Sequence, residues 1–536
     1  VALSYALSQA KLPNSFGAAP VIVAAGLAFW AAWILRLQDF ETLLGGWLPI
    51  SVTGMPIVLA ANAPGAAVVI TLMGMHMLRV WRNRAITTDA NDATLLLFEM
   101  LAQTALVVLA FAHSFVALLI GLGLVNGMSF LGSLLAHKRM RLAATTMLFQ
   151  GSALVILVIV AALHASQGNS LYFPLMRVAD YLLPMLHIAV FLQCGFVPLM
   201  APSDQTEQPL WRIHACAALL VQMHLPNIGA VNAGNASNAS NASNWLLGLA
   251  LLSAVWAALR ALSAVETPKR IQMLSSAVFF LACASSATSR SAVIAAAACA
   301  WLLGHELVLM QLRLRFADDV ALFVRLVHGL RALGVAVWLG VPLSVGFVGQ
   351  AGVAAALALR GGGTGLLLVV MWVLALALVT KECLGLASSL PSRTRAISAD
   401  TALRGWSGMA VLVLALLIGA LGVLFGLLPQ VLGDTGLGSV LARQGVVGWL
   451  AWLVAMGVGA ALWRAQPRLA PVLDAWRGPI QNLTSLRVLH EVWRGAVTRI
   501  AQPFRLVFPF LESDGALLWA IALVLLVVLV ARPGGP

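Results

Sequence analysis

Apolar residues run through this chain in long Leu-, Ala- and Val-rich blocks, and most polar residues fall between the blocks. A membrane-crossing helix needs about 20 apolar residues. On that measure the blocks predict spans near 20–36, 55–79, 94–112, 113–136 and 142–164. A broken region at 181–228 follows, then spans near 244–264, 271–289, 291–312 and 321–340. A second break covers 340–350, and the last spans fall near 364–390, 407–428, 446–464 and 514–531. The pattern therefore predicts an all-α polytopic membrane protein with about 14 crossings. A β-barrel would show short alternating segments instead of continuous apolar runs.

Two stretches interrupt the pattern in the same way. Gly340-Val-Pro342-Leu-Ser-Val-Gly346-Phe-Val-Gly349-Gln350 sets three glycines, a proline and one amide in an apolar run. Phe191-Leu-Gln193-Cys-Gly-Phe-Val-Pro198-Leu-Met-Ala-Pro202 does the same with one glycine and two prolines. Broken backbone at membrane depth is tolerated only where it is buried in protein or lines a cavity. Two such breaks with several spans around each are the mark of a duplicated transporter with one discontinuous helix per repeat.

The polar segments add topology. Arg79-Val-Trp-Arg-Asn-Arg84 and His137-Lys-Arg-Met-Arg141 are separated by two spans, so they share one side, which the positive-inside rule makes cytoplasmic. Beyond 181–228 the parity stays open, because hydropathy does not say whether that region crosses once or twice. The Asn-Ala-Ser repeat from Asn232 to Asn244 reads as a flexible loop, its glycosylation-like triplets notwithstanding. From 465 to 510 the period changes. Leu483, Leu486, Leu489, Val492, Trp493, Val497 and Ile500 recur at helical spacing, with Arg487, Glu491, Arg494 and Thr498 mainly opposite. That is a helix lying along the membrane or along its neighbours. No cleavable signal peptide is expected before the first span.

Composition removes the soluble alternatives. The 536 residues are 61% hydrophobic and 10% charged, a balance no soluble domain has. The net charge of +13 is then a matter of topology and anionic lipid headgroups, and nucleic acid is not an expected partner. Cys194, Cys216, Cys283, Cys299 and Cys383 all lie in apolar segments without ligand-like spacing. No cofactor or metal site is expected from them. The chain lacks a phosphate-binding loop and a dinucleotide fingerprint, so no catalytic site of its own is expected. An enzyme activity would belong to a partner, for instance within an oxidoreductase complex.

Ionisable residues inside spans are costly and are functional candidates by default. The candidates are Glu99, His187, His214, Lys269-Arg270, His305-Glu306, Arg325, His328, Arg331 and Lys381-Glu382. Each also has a structural reading. His305 and Glu306 point about 100° apart on a helix and do not both face one path. The triplet of Arg325, His328 and Arg331 is compatible with snorkelling, and Lys381-Glu382 with a helix end.

Three stretches resemble one family, the antiporter-like subunits of respiratory complex I and its relatives. Those relatives include cation/proton antiporters, group-four membrane-bound hydrogenases and the membrane partner of some bicarbonate-accumulating complexes. Thr267-Pro-Lys269-Arg270-Ile-Gln-Met-Leu-Ser275-Ser276 resembles the family's D-[IL]-K-R-[VL]-L-A-Y-S-S. Gly340 to Gln350 resembles G-[IL]-P-x-x-x-G-F-x-[GS]-K/E. Gln193 to Pro198, with Ile213-His214-Ala215 after it, resembles K-x-x-x-x-P followed by L-[LI]-H-A. Order and spacing agree over roughly 110–350, and the tail at 480–531 resembles that of the hydrogenase-type members.

The resemblance implies two inverted five-helix repeats, each with a broken helix, and a central row of Lys, His and Glu that moves protons. It divides the chain into N-terminal helices (1–93), a first repeat (94–264, broken near 193–209) and a second repeat (265–390, broken near 340–350). C-terminal helices (391–464) and a lateral helix with a final span (465–536) complete it. The departures fall on the charged positions. Gln193 stands where the family has lysine, Gln350 where it has Lys or Glu, and Asn126 in Leu124-Val-Asn126-Gly-Met-Ser129 where it has glutamate. His305 takes the place of a further lysine. Amides keep hydrogen-bonding capacity and carry no proton through a cycle.

Three functions follow as expectations. The first is a proton- or cation-translocating, energy-coupling subunit of a complex-I-like assembly. Its path candidates are His214, Lys269, His305, Glu306, Lys381 and Glu382, with Gln193 and Gln350 lining water. The second is a non-pumping scaffold that holds a catalytic partner through the helix at 480–500. The third is the membrane half of a proton-driven bicarbonate or CO2 uptake complex. Expected partners are other membrane subunits, a peripheral catalytic subunit and lipids. The expected location is the bacterial inner membrane.

Overall fold

The architecture is that of a computed structural model. It describes residues 14–35, 40–44, 57–84, 90–137, 140–179, 181–194, 211–225, 229–230, 236–264, 266–288, 290–313, 321–358, 360, 362–388, 405–427 and 445–468, with a few positions between 471 and 479. The expected lateral helix at 480–500, the final span at 514–531 and the break residue Pro198 lie outside the described residues.

The predicted all-α class stands. Helices α1 (Asn14–Leu35), α2 (Ala63–Arg84), α3 (Ala90–Ala110), α4 (Phe115–His137) and α5 (Met140–Ser166) come first. Then follow α6 (Leu183–Gln193), α7 (Trp211–His224), α8 (Ala236–Ser263), α9 (Thr267–Cys283) and α10 (Ser291–Arg313). The series closes with α11 (Ala321–Leu339), α12 (Val345–Ala358), α13 (Gly362–Ser388), α14 (Gly405–Leu427) and α15 (Gly445–Arg464). Among the described residues, five helical windows are each long and apolar enough to cross a membrane: 63–80, 115–132, 149–166, 291–309 and 362–388. Shorter apolar windows lie in α1, α3, α6, α8, α12, α14 and α15.

Local chemistry sets the helix starts. The span expected to begin at 55 instead opens with a strand, β2 (Ile57–Ala61), paired antiparallel with β1 (Phe40–Leu44). Asn62 then caps α2, its side-chain oxygen accepting the Gly65 amide at 2.7 Å with Pro64 in the first turn. Ser114 does the same for α4 through Ala117 at 3.3 Å, and also accepts from Val58 of β2 at 3.2 Å. The Asn-Ala-Ser repeat, expected as a loop, is helical from Ala236 onward. Its alanines and the apolar helix that follows let the turn pattern extend outward once the helix is nucleated.

The parity that hydropathy left open is set by a small strand pair. β3 (Arg177–Val178) lies parallel to β4 (Gly229–Ala230), so the two ends of 181–228 meet on one face. His224, the last residue of α7, reaches Leu109 O at 2.8 Å and stacks on Phe173 with centroids 5.5 Å apart. The chain therefore enters along α6 and comes back along α7. Both ends lie on the face opposite the basic clusters, with β1, β2 and the α3–α4 connection.

The second break is narrower than the glycine and proline pattern predicts. It occupies 340–344, between α11 and α12. Helix α11 ends in a Schellman turn. Gly340 takes φ 65°, its amide donates to Val337 O, and the Val341 amide donates to Ala336 O at 3.0 Å. Pro342 follows, Leu343 holds φ 76°, and Ser344 caps α12 by accepting the Phe347 amide at 3.3 Å. Gly346 and Gly349, expected as break residues, lie inside α12, and Gln350 with them. Their role is close packing. A Cβ on Gly346 would sit 1.8 Å from Val337 O, and one on Gly349 would sit 3.1 Å from Ala297 Cα.

At the centre stands α10. It packs against α2, α7, α9, α11, α12 and α14, so a helix apolar enough to face lipid is enclosed by protein instead. Whatever polar groups it carries must find partners on those neighbours.

Candidate functional site

Two groups of buried polar side chains stand out among the described residues. The first joins α4, α5, α6 and α7. Gln193, at the last turn of α6, donates from Nε2 to Asn126 Oδ1 at 2.7 Å. Asn126 returns a donation from Nδ2 to Gln193 Oε1 at 3.3 Å and also donates to Gln150 O at 3.2 Å. His214 Nδ1 lies 3.5 Å from Gln193 Nε2. Gln193 and Asn126 thus face each other as a reciprocal pair of amides, 1% and 7% exposed. Each amide offers the donor and the acceptor that the other needs, so the cluster is satisfied without charge.

The second group joins α7, α9, α10 and α13. Glu306 of α10 forms an ion pair with Arg212 at the start of α7. Its neighbour His305 turns to α9, where Nδ1 lies 2.6 Å from Ser275 Oγ. The Trp301 indole donates to both Ser275 O and Ser275 Oγ at 3.1 Å. Five residues before Ser275, Arg270 Nε approaches Glu382 Oε2 at 3.5 Å, and Lys381 Nζ donates to Glu382 Oε1 at 2.5 Å. Trp211, Phe279 and Trp301 pack edge to face at 5.3–5.8 Å and form an apolar wall beside His305.

The expected divergence of His305 and Glu306 is visible as two different partner helices. Gln350 stands apart from both groups, accepting the Trp372 indole N–H at 3.2 Å. Lys269 does not join the row. It sits at the exposed start of α9, paired with Glu266 at 3.2 Å. Glu99 pairs with Arg79 between α3 and α2, and His187 Nδ1 rests on Leu183 O at 2.8 Å. Arg325 is exposed, His328 half-buried and Arg331 buried, on α11.

Sequence reasoning passed over Arg212, Ser275 as a partner of His305, and the two indole donors. Arg212 was legible as an arginine two residues before His214, at the head of an apolar run. Replacing Trp372 by Phe should lower the thermal stability of the chain by about 1 kcal/mol, the net worth of one buried hydrogen bond. Adding Gln350→Leu should recover part of that loss, which a melting series in detergent reads directly.

No family model matches the chain, and no curated protein matches it either. Solved structures do. A chain of the Mrp complex from Dietzia sp. DQ12-45-1b superposes with a TM-score of 0.66 at 15% identity, covering 100% of this chain and 63% of that one. This chain thus spans about two thirds of that chain's length. A chain of the membrane-bound sulfane sulfur reductase, an archaeal respiratory membrane complex, gives 0.66 at 13% identity, covering 98% of each. A chain of respiratory complex I from Thermus thermophilus with bound NADH gives 0.57 at 16% identity, covering 85% of this chain and 98% of that one. At such identities the likeness is one of fold, and the chain has the fold of the antiporter-like membrane subunits of complex I and its relatives.

Proposed function

We propose that this chain is a proton- or cation-translocating subunit of a multi-subunit membrane assembly. The observation that carries the proposal is the second polar group, where His305, Glu306, Glu382 and Lys381 are all at most 8% exposed in the middle of the helix packing. Burying that many ionisable side chains is expensive, and membrane proteins keep them where ions or protons move. The path runs from Lys381 and Glu382 to His305 and on toward His214. In this reading 94–264 and 265–390 are the two repeats, and other membrane subunits are the partners. A peripheral catalytic subunit is a further partner in this reading.

A second reading is supported by one observation, the Asn126–Gln193 pair. Two reciprocal amides fill the first site with groups that do not titrate, as a scaffold that no longer pumps would have them.

Proton flux separates the two. With the purified complex in proteoliposomes and a pH dye inside, His305→Ala and Lys381→Ala should each cut flux at least about tenfold, as loss of a proton-transfer group does. Lys269→Ala, exposed and off the row, should leave it unchanged. No flux in the parent complex would favour the scaffold. Flux that survives both buried substitutions would sink the path.

A further inference from the structure

A further buried polar seam lies apart from both groups, between α2 and α3. His76 of α2 is 3% exposed, and neither of its ring nitrogens has a hydrogen-bond partner among the described residues. Gln103 of α3 is 8% exposed, and its Oε1 likewise has none there. A buried donor or acceptor left unmade costs about 1–3 kcal/mol, so three such atoms weigh heavily on one helix contact. Folded proteins meet such atoms with ordered water where several polar partners converge.

Helix geometry brings these atoms to one place. The Ala60 amide donates to Phe111 O, so the start of α2 lies beside the end of α3 and the two helices run antiparallel. Two contacts fix the faces they turn to each other: Arg79 pairs with Glu99, and Val80 packs with Met100. At about 100° per residue, His76 points between the directions of Arg79 and Val80. Gln103 points between those of Glu99 and Met100 by the same count. From the ion pair, three residues back along α2 and four forward along α3 are steps of about 4.5 and 6 Å to nearly the same depth.

Water fits what these atoms lack. One molecule accepts the ring N–H of a neutral His76 and donates to Gln103 Oε1, and a second donates to the other ring nitrogen. The seam begins at Arg79 and Glu99, whose side chains are 10% and 4% exposed beside the basic cluster at 79–84. Past His76 and Gln103 it closes on Leu72 and Leu106, both buried. We propose that the α2–α3 seam is a hydrated inlet, in which water enters from the face of the basic clusters and is held between His76 and Gln103. The proposal goes beyond the translocation reading and does not depend on it, because neither side chain belongs to that path.

Two measurements on the assembled complex test it. The first uses silver ion, a thiol reagent of about the size of water, added to membrane vesicles of each orientation. Gln103→Cys should be modified from the basic-cluster face at least about tenfold faster than Leu106→Cys, read on the peptide carrying the new thiol by loss of later alkylation. The second is melting in detergent. His76→Leu and Gln103→Leu should each lower the melting temperature by a few degrees, because each displaces water that the other group still needs. The double variant, which removes both demands, should recover most of the loss. A dry seam gives the opposite signs, since each leucine then removes a group that was already unsatisfied. Single variants that melt at or above the parent therefore overturn the proposal, as does a double variant that recovers nothing. So does modification of Gln103→Cys that is no faster than that of Leu106→Cys, or that comes only from the opposite face.

Discussion

Gly346→Ala is expected to stop the folded chain from accumulating in the membrane. The added methyl would sit 1.8 Å from Val337 O and 3.3 Å from Gly340 Cα, so it meets the backbone of the last turn of α11 and of the break. Neither neighbour can step aside cheaply. Val337 lies in the last turn of α11, where its carbonyl accepts the Gly340 amide, and Gly340 itself holds the φ of 65° that closes the Schellman turn. Overpacking of a flexible core side chain costs about 1–3 kcal/mol, and a rigid backbone clash should exceed the top of that range. A matched control is Gly457→Ala in α15, where no atom lies within 4 Å of the new methyl. That variant should be neutral or more stable by up to about 1 kcal/mol, because alanine is the better helix former. Membrane yield and detergent melting of the two variants, side by side, decide the matter. If Gly346→Ala accumulates and melts like Gly457→Ala, the close approach of α12 to α11 is wrong.

The same glycine shows what the sequence could and could not say about the fold. Apolar runs near 20 residues long announce most helices, because a span is a long-range average over hydropathy. The break was announced by the density of glycine and proline, yet that density does not separate a glycine used for its φ from one used for its missing side chain. Gly340 is the first kind; Gly346 and Gly349 are the second, and the break ends at Ser344. The direction of 181–228 was closed to hydropathy for a different reason. It depends on a strand pair joining Arg177–Val178 to Gly229–Ala230, a contact that leaves no period in the sequence.

The site divides along similar lines. Position within a motif pointed to Asn126 and Gln193, and they do face each other. Burial of His305, Glu306, Lys381 and Glu382 followed from their place inside apolar runs. Their partners did not. Ser275 lies 30 positions before His305, and Arg212 lies far before Glu306, so only helix packing brings them together. Lys269 looked equivalent to Arg270 in sequence, and one residue's rotation about α9 is enough to turn it out to Glu266 while Arg270 reaches Glu382.

Gln193→Lys is expected to destabilise the chain by about 3–5 kcal/mol, the range seen when a buried charge lacks its partner. At 1% exposure the new ammonium is buried. It can still donate to Asn126 Oδ1, but Asn126 Nδ2 loses the acceptor it now has in Gln193 Oε1, and an ammonium cannot supply one. Adding Asn126→Glu should repair this. A carboxylate at 126 reaches one methylene further than the Asn126 amide, toward residue 193, whose Nε2 now donates to Asn126 Oδ1 at 2.7 Å, so the charge meets its counter-charge in a site already shaped for two polar groups. The double variant should therefore melt well above Gln193→Lys, with a coupling of about 2 kcal/mol or more between the two positions. The flux measurement then reads function from the same pair. If the first half still has a continuous route, a titrating Lys–Glu pair should raise proton flux above that of the parent. A double variant that melts like Gln193→Lys alone would mean that 126 and 193 do not form one site. A double variant that is stable but conducts no better would locate the missing element of the first half elsewhere.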